Sequence, residues 1–205
     1  GSSNFRGEFW SKGGLEVRES YRRRRERLGD SVELAFRCWM PDELRAEYGA
    51  LPGLIQMTDV VPREELDRLF WSSDVFLFPS HNTPGMAFLE AMRFGLPIVG
   101  KRIWANGEIV EDGTTGFLVE PSEGIPYYLP GFVPNWSMDS GPFLPHMRRR
   151  DDRVIGDLTD RLERLATEPS LRRSMGQRAR EAVEDGPFSI SKRNARLRKI
   201  YEESV

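Results

Sequence analysis

Three short runs constrain this chain more than any other feature: "DVFLFP" at 74–79, "LPIVG" at 96–100 and "GFLV" at 116–119. They are nearly continuous in apolar character, and amphipathic stretches separate them. Strands without polar alternation must be covered on both faces. Joined by helices, they predict an α/β fold with a Rossmann-like parallel sheet and helices on both faces. "VELAFRC" (32–38) and "GLIQMT" (53–58) read as further strands, and "NFRGEF" (4–9) as the first of a six-stranded sheet. In such sheets a ligand sits outside the carboxyl ends of the strands. The loops to watch therefore follow Phe9, Cys38, Thr58, Phe78 and Val99.

Helical spacing fills the gaps. Residues 14–29 read as a helix with Leu15, Val17, Tyr21 and Leu28 inward. A second, 41–49, has Pro at its first position and Gly at its end. The stretch 62–73 places Leu66, Leu69 and Phe70 on one face, and another helix runs from Pro84 to Gly95. Residues 154–169 align Ile155, Leu158, Leu162 and Leu165. A helix over 170–186 follows, with Ser170 as N-cap, and the tail from Phe188 is a last amphipathic helix. Between 120 and 153 the pattern breaks into Pro, Gly and aromatic residues. That segment is too apolar for a disordered linker. It reads as an insertion (about 123–153) that packs on the domain surface or covers a cleft, or else as an idle loop. His146 is isolated and has no assigned role.

With 205 residues the chain is long enough for one sizeable core. Its 30 Lys and Arg nearly cancel 32 Asp and Glu, which argues against nucleic acid as a partner. The clusters "RRRRER" (22–27) and "RRR" (148–150) read as solvated surface, with peripheral contact to the inner face of a membrane as the alternative. The single Cys38 excludes an internal disulfide and fits a reducing, cytoplasmic location. No apolar stretch approaches membrane-spanning length, and no signal peptide is recognisable. "GSS" resembles an expression scar, and the abrupt entry into "NFRGEFW" suggests a piece of something longer.

The stretch "SHNTPGMAFLEAMRFGLPIV" (80–99) carries the chemistry. Thr83 suits an N-cap and Pro84 the first turn. The unpaired N–H groups of Gly85, Met86 and Ala87 would then point out of the helix N-terminus, where an anion such as phosphate is stabilised. Gly85 has no side chain to obstruct it. Glu90 lies opposite the core side formed by Phe88, Leu89 and Met92. It is either a surface residue paired with Arg93, worth roughly 0.2–0.5 kcal/mol, or a carboxylate that accepts the vicinal hydroxyls of a ribose.

The segment "SSDVFLFPSHNTPGMAFLEAMRFGLPIVGKRIWANGEIVEDGTTGFLVEP" (72–121) resembles the C-terminal half of GT-B glycosyltransferases of family 4, the glycosyl transferases group 1. A strand ending Pro-Ser, a glycine-containing helix start, "LEAM", and "EIV" with a following Asp-Gly appear in the family's order. "FRGEFWSKGG" is similar to its first strand and Lys-Gly loop, and the closing helices match as well. The resemblance implies a single nucleotide-sugar-binding domain over 1–205, with the N-terminal acceptor domain lying outside this chain. It implies retaining transfer of a sugar from a UDP-, GDP- or ADP-sugar to an acceptor, with no obligatory metal and no cofactor. Glu90 would bind ribose and, with Lys12, stand in the catalytic machinery. Lys12 would bind the diphosphate. Gly85, Met86 and Ala87 would face the diphosphate and sugar, with Thr83 beside them, and the loop from Asp59 through Val61 to Pro62 would lie beside the base.

Two positions depart from the family. Asn82 stands where the first Glu of its two-Glu motif belongs, eight residues before Glu90. Glu8 replaces an Arg common after the first-strand Gly, and Lys101 and Arg102, on the loop after "LPIVG", are candidates to compensate. These departures motivate the alternative of a non-catalytic GT-B half acting as a binding or scaffold module. A nucleotide-sugar epimerase is a third possibility, against which "LEAM" and "EIVEDG" argue. Glu108 is expected to fix its loop rather than touch sugar, and Trp39 to pack in the core rather than face the base. Trp104 and Asn106 either contact donor or acceptor or serve the fold. Gly113 and Gly116 read as turn glycines.

Overall fold

The computed structural model describes residues 8–29, 32–44, 51–57, 61–82, 85–125, 127–129, 133–134 and 144–204. The chain opens with a short helix α1 (Glu8–Ser11) and a long helix α2 (Gly14–Leu28). Then come β1 (Leu34–Arg37), β2 (Leu54–Met57), α3 (Arg63–Ser72), β3 (Phe76–Phe78) and α4 (Gly85–Arg93). β4 (Ile98–Lys101), α5 (Asn106–Ile109) and β5 (Gly116–Val119) complete the parallel strands. A small antiparallel pair, β6 (Tyr128–Leu129) and β7 (Val133–Pro134), leads to α6 (Leu144–Arg148), α7 (Asp152–Thr167), α8 (Pro169–Glu184) and α9 (Ile190–Glu203). Of the helix expected over 41–49, residues 45–50 lie outside the described residues.

The α/β class with parallel strands is as expected, but among the described residues the sheet is not one six-stranded unit. Among the described residues β1 pairs with β2, and β3, β4 and β5 form a separate parallel set in that order. In a doubly wound sheet of order 3-2-1-4-5-6 the first strand joins the two halves. Here Glu8 and Phe9, the end of that expected strand, are helical, and residues 4–7 lie outside the described residues. The physical reason is visible at Phe9 and Trp10. Both rings are buried in one core cluster, edge to face at 5.0 Å. Adjacent residues on a strand point to opposite faces, whereas on a helix they stand only about 100° apart and can enter one core.

The β3–β5 set shows why its runs are continuously apolar. Ile98 and Leu118 face Phe88, Ala91 and Met92 of α4 and Ala179 of α8. Val99, Phe117 and Val119 face the other way, onto Val154, Leu158 and Leu165 of α7. Burying each large side chain contributes roughly 1.5–3 kcal/mol. Gly113 is a turn glycine with φ 79°. Gly116 is not: it sits in β5, where a Cβ would lie 2.3 Å from the Ile98 carbonyl oxygen.

α7 carries the expected apolar stripe and is capped by Asp151, whose side chain accepts from the Arg153 and Val154 N–H groups. α8 starts one residue earlier than expected. Ser170 is not its cap, because Pro169 already supplies a preset first turn. The segment from 120 to 153 joins the core where it is described: Ile125, Tyr127 and Met147 pack with Phe9 and Trp10. The cluster at 22–27 is partly buried, whereas Arg148, Arg149 and Arg150 are exposed, as a solvated surface would be. Arg24 is only 3% exposed, Arg27 reaches Asp160 and Glu163 on α7, and Arg150 reaches Glu19 on α2. The cause is the close packing of α2 on α7. Among the described residues no helix is long and apolar enough to cross a membrane.

Candidate functional site

Two turns meet at the carboxyl end of β3. The first joins α1 to α2 and holds Lys12 and Gly13. Gly13 has φ 75°, and a Cβ there would lie 2.3 Å from the Pro79 carbonyl oxygen, so a glycine is needed for this turn to close on the strand end. The second turn is Pro79–Asn82. Its His81 N–H donates to Ser11 O at 2.8 Å. The Ser80 hydroxyl lies 2.6 Å from Asn82 Oδ1 and 3.1 Å from Ser11 O, so its one proton serves the nearer Oδ1. Lys12 Nζ donates to the same Oδ1 at 3.2 Å and sits 6.0 Å over the Phe78 ring.

The helix α4 leaves this corner. Gly85 and Ala87 are half-buried in its first turn, and Met86 is 80% exposed. The first N–H groups of any α-helix have no intrahelical partner. Thr83 and Asp59 lie outside the described residues. One turn into α4 stands Glu90, its side chain 27% exposed. Its Oε1 is paired not with Arg93 but with Arg63, at the start of α3 and two residues beyond Val61. Spacing on one helix suggests the first partner. Only the packing of α3 beside α4 supplies the second.

Under the two turns lies a sealed polar layer. Glu16 of α2, His81 and Lys101 at the end of β4 are 5%, 1% and 0% exposed. Glu16 Oε1 takes hydrogen bonds from Lys101 Nζ at 2.5 Å and from His81 Nε2 at 2.8 Å. His81 Nδ1 lies 2.8 Å from the hydroxyl of Tyr127. A carboxylate only accepts, so Nε2–H donates to Glu16 and Nδ1 accepts the Tyr127 O–H, while Lys101 Nζ also lies 2.9 Å from Nε2. Burial by itself would raise the Glu16 carboxyl, but the Lys101 ammonium and His81 hold it down at about 2. Burial, reinforced by the Lys101 charge, lowers His81. Burial also lowers Lys101, opposed by Glu16, and raises the Tyr127 hydroxyl, helped by the Glu16 charge.

Several expected roles shift in consequence. Lys101 is not a loop cation available to a ligand, because it ends β4 and is spent on Glu16. Arg102 is exposed and tied to Asp112 and Glu120. Asn106 is buried, and its Nδ2 donates to the Lys101 carbonyl at 3.0 Å, so it serves the fold. Trp104 adopts φ 49° and packs partly against the cluster around Phe9. Glu108 is exposed in α5 and Trp39 half-buried. The sequence reading missed Glu16, His81 and Tyr127. The one available signal was Lys101 directly after an apolar run, a charge where a buried strand ends. Among the described residues no group of three or more His, Cys, Asp or Glu could hold a metal ion.

A parallel α/β domain of the Rossmann-like type, with its polar turns gathered at the strand carboxyl ends, is thus the class defined by fold and site. Residues 15–126 match the glycosyl transferases group 1 family, and the chain belongs to that family. It is 34% identical over 86 residues to the sulfoquinovosyl transferase SQD2 of Arabidopsis thaliana, a match covering 40% of this chain and 16% of that protein. Its fold is similar to that of the pneumococcal O-GlcNAc transferase GtfA, solved with UDP and GlcNAc, at TM-score 0.67 and 17% identity over 94% of this chain and 33% of GtfA. It is also similar to the C-terminal domain of the group 1 protein LpcC from Francisella tularensis, at TM-score 0.63 and 18% identity over 88% of this chain and 81% of that one. The neighbours are GT-B glycosyltransferases, and the chain spans well under two thirds of the curated relatives it matches.

Proposed function

We propose that this chain is the donor-binding half of a retaining glycosyltransferase, taking a nucleoside-diphosphate sugar at the carboxyl end of β3. The observation that carries this reading is the Lys12–Asn82 hydrogen bond, which joins the Lys-Gly turn to the turn leading into α4. It draws a cation toward the N-terminus of a helix, two features that favour the same anion. Lys12 and the N–H groups of Gly85, Met86 and Ala87 bind the diphosphate, with Thr83 alongside. As the sugar departs, the diphosphate gains charge, and these fixed donors stabilise it without a metal. Glu90 accepts the ribose hydroxyls. Arg63 engages its Oε1, which aims the carboxylate beside Val61, at the base side of the site. The acceptor is supplied by a further, N-terminal domain, in the cytoplasm.

The scaffold alternative rests on Asn82, an uncharged residue where the family carries an acid. Calorimetry against UDP, GDP and ADP and their sugars separates the two. Binding of at least one is expected, and Lys12→Ala should weaken it about 10- to 100-fold, the loss of a charge-assisted contact. Glu90→Ala should weaken it about tenfold. No binding to any of the six would support the scaffold reading. Unchanged affinity in both variants would remove these residues from the site.

A further inference from the structure

We propose that Glu16, His81, Lys101 and Tyr127 form a buried positioning unit that holds the 80–82 turn opposite Lys12. Donor affinity is then set from beneath the site by side chains that touch no ligand. The inference rests on the donor-site reading for its affinity consequence alone.

The argument starts from the backbone. His81 immediately precedes Asn82, and its N–H is already bound to Ser11, the neighbour of Lys12. What remains free to rotate is the His81 side chain, and the layer below removes that freedom. Both ring nitrogens are engaged, one by Glu16 and one by Tyr127. The ring planes of His81 and Tyr127 lie within 10° of parallel, with centroids 6.2 Å apart. Three other parts of the chain therefore converge on the imidazole of this turn: α2, the end of β4, whose Lys101 Nζ lies 2.9 Å from Nε2, and the segment after β5.

The chemistry of the unit speaks for geometry rather than for cohesion. A buried ion pair is a weak source of stability compared with apolar side chains of the same volume. Its hydrogen bonds are directional, however, and one arrangement satisfies them where many would satisfy a greasy contact. Lys101 is too deeply buried to reach a ligand, and His81 and Glu16 are sealed with it. A polar network of this kind, one residue from Asn82 and four from Lys12, fits a device that specifies where those two meet. Tyr127 makes the 120–153 segment part of it, through a side chain that lies beneath the site.

Tyr127→Phe tests the unit, because it deletes one hydroxyl and keeps the ring. Amide hydrogen exchange is followed without nucleotide, and UDP, GDP and ADP are titrated into wild type and variant. Exchange at His81 and Asn82 should accelerate about tenfold while amides of β4 and β5 keep their rates. The dissociation constant of the tightest nucleotide should rise about three- to tenfold. Unchanged exchange at 81–82 overturns the proposal, and so does acceleration spread evenly over the fold, the mark of a merely structural residue. Faster local exchange with unchanged affinity breaks the link to the donor. Should wild type bind none of the three nucleotides, the donor reading fails, and the exchange result alone decides whether the unit positions the turn.

Discussion

Two carboxylates frame this domain's candidate site, and they live in opposite surroundings. Glu16 lies in the sealed layer, held by Lys101 and His81. Glu90 lies at the surface, held by Arg63, which is itself half in solvent. Water screens the second pair and not the first. A buried charge has no substitute for its protein partner, whereas an exposed one falls back on solvent. The pair that looks like part of the site should therefore matter little to stability. The pair hidden beneath it should matter a great deal.

Lys101→Met is the most direct way to break that contrast. It leaves the Glu16 carboxylate buried without its cation, and urea unfolding should show a loss of about 3–5 kcal/mol. Adding Glu16→Leu should recover most of it. A single variant as stable as wild type would mean that water reaches the layer. Acid is the next probe. The folded chain holds His81 below its ordinary value, so the unfolded ring takes a proton the buried ring refuses, and stability falls as pH drops below about 6.5. Glu16, lowered from 4.5 to about 2, contributes stability that is present above about 4.5 and lost as pH falls through about 2. Unfolding midpoints between pH 7 and pH 3 should decline in wild type and decline less in Glu16→Gln. A parallel decline in both would point away from Glu16.

Smaller effects sharpen the exposed side. Asn82 gives Lys12 a neutral acceptor, which leaves the ammonium's charge available to a phosphate. Asn82→Asp should neutralise it and weaken nucleotide binding about three- to tenfold, read by calorimetry. Tighter binding would show instead that a carboxylate belongs there. Arg63→Ala should be the mildest change: an unfolding midpoint like that of wild type, with any effect confined to nucleotide affinity. A marked loss of stability would erase the distinction between the two carboxylates.

The fold was legible wherever local pattern and burial agree. The runs at 74–79, 96–100 and 116–119 became β3, β4 and β5, and the stripe from Ile155 to Leu165 became the buried face of α7. Legibility failed at Phe9, where a residue that looks strand-like is claimed by a helical turn because Trp10 must enter the same core. At the candidate site, Lys12 and Asn82 were both singled out by the family resemblance, and the structure places them in contact. His81 went unremarked beside them. Its partners Glu16 and Tyr127 are 65 and 46 positions away, beyond any helical or strand period.

From its residues alone this chain declares a parallel α/β domain and the family it belongs to. Continuous apolar runs leave a sheet no other way to be covered, and short motifs carry their own chemistry. Which cation faces solvent was settled only in three dimensions. Lys12 and Lys101 are equivalent as letters, each beside a glycine. Folding puts Lys12 beside a neutral Asn82, both half-buried, and Lys101 against a buried carboxylate. The desolvation each charge meets there, which no local pattern encodes, separates the cation proposed to meet a ligand from a structural one.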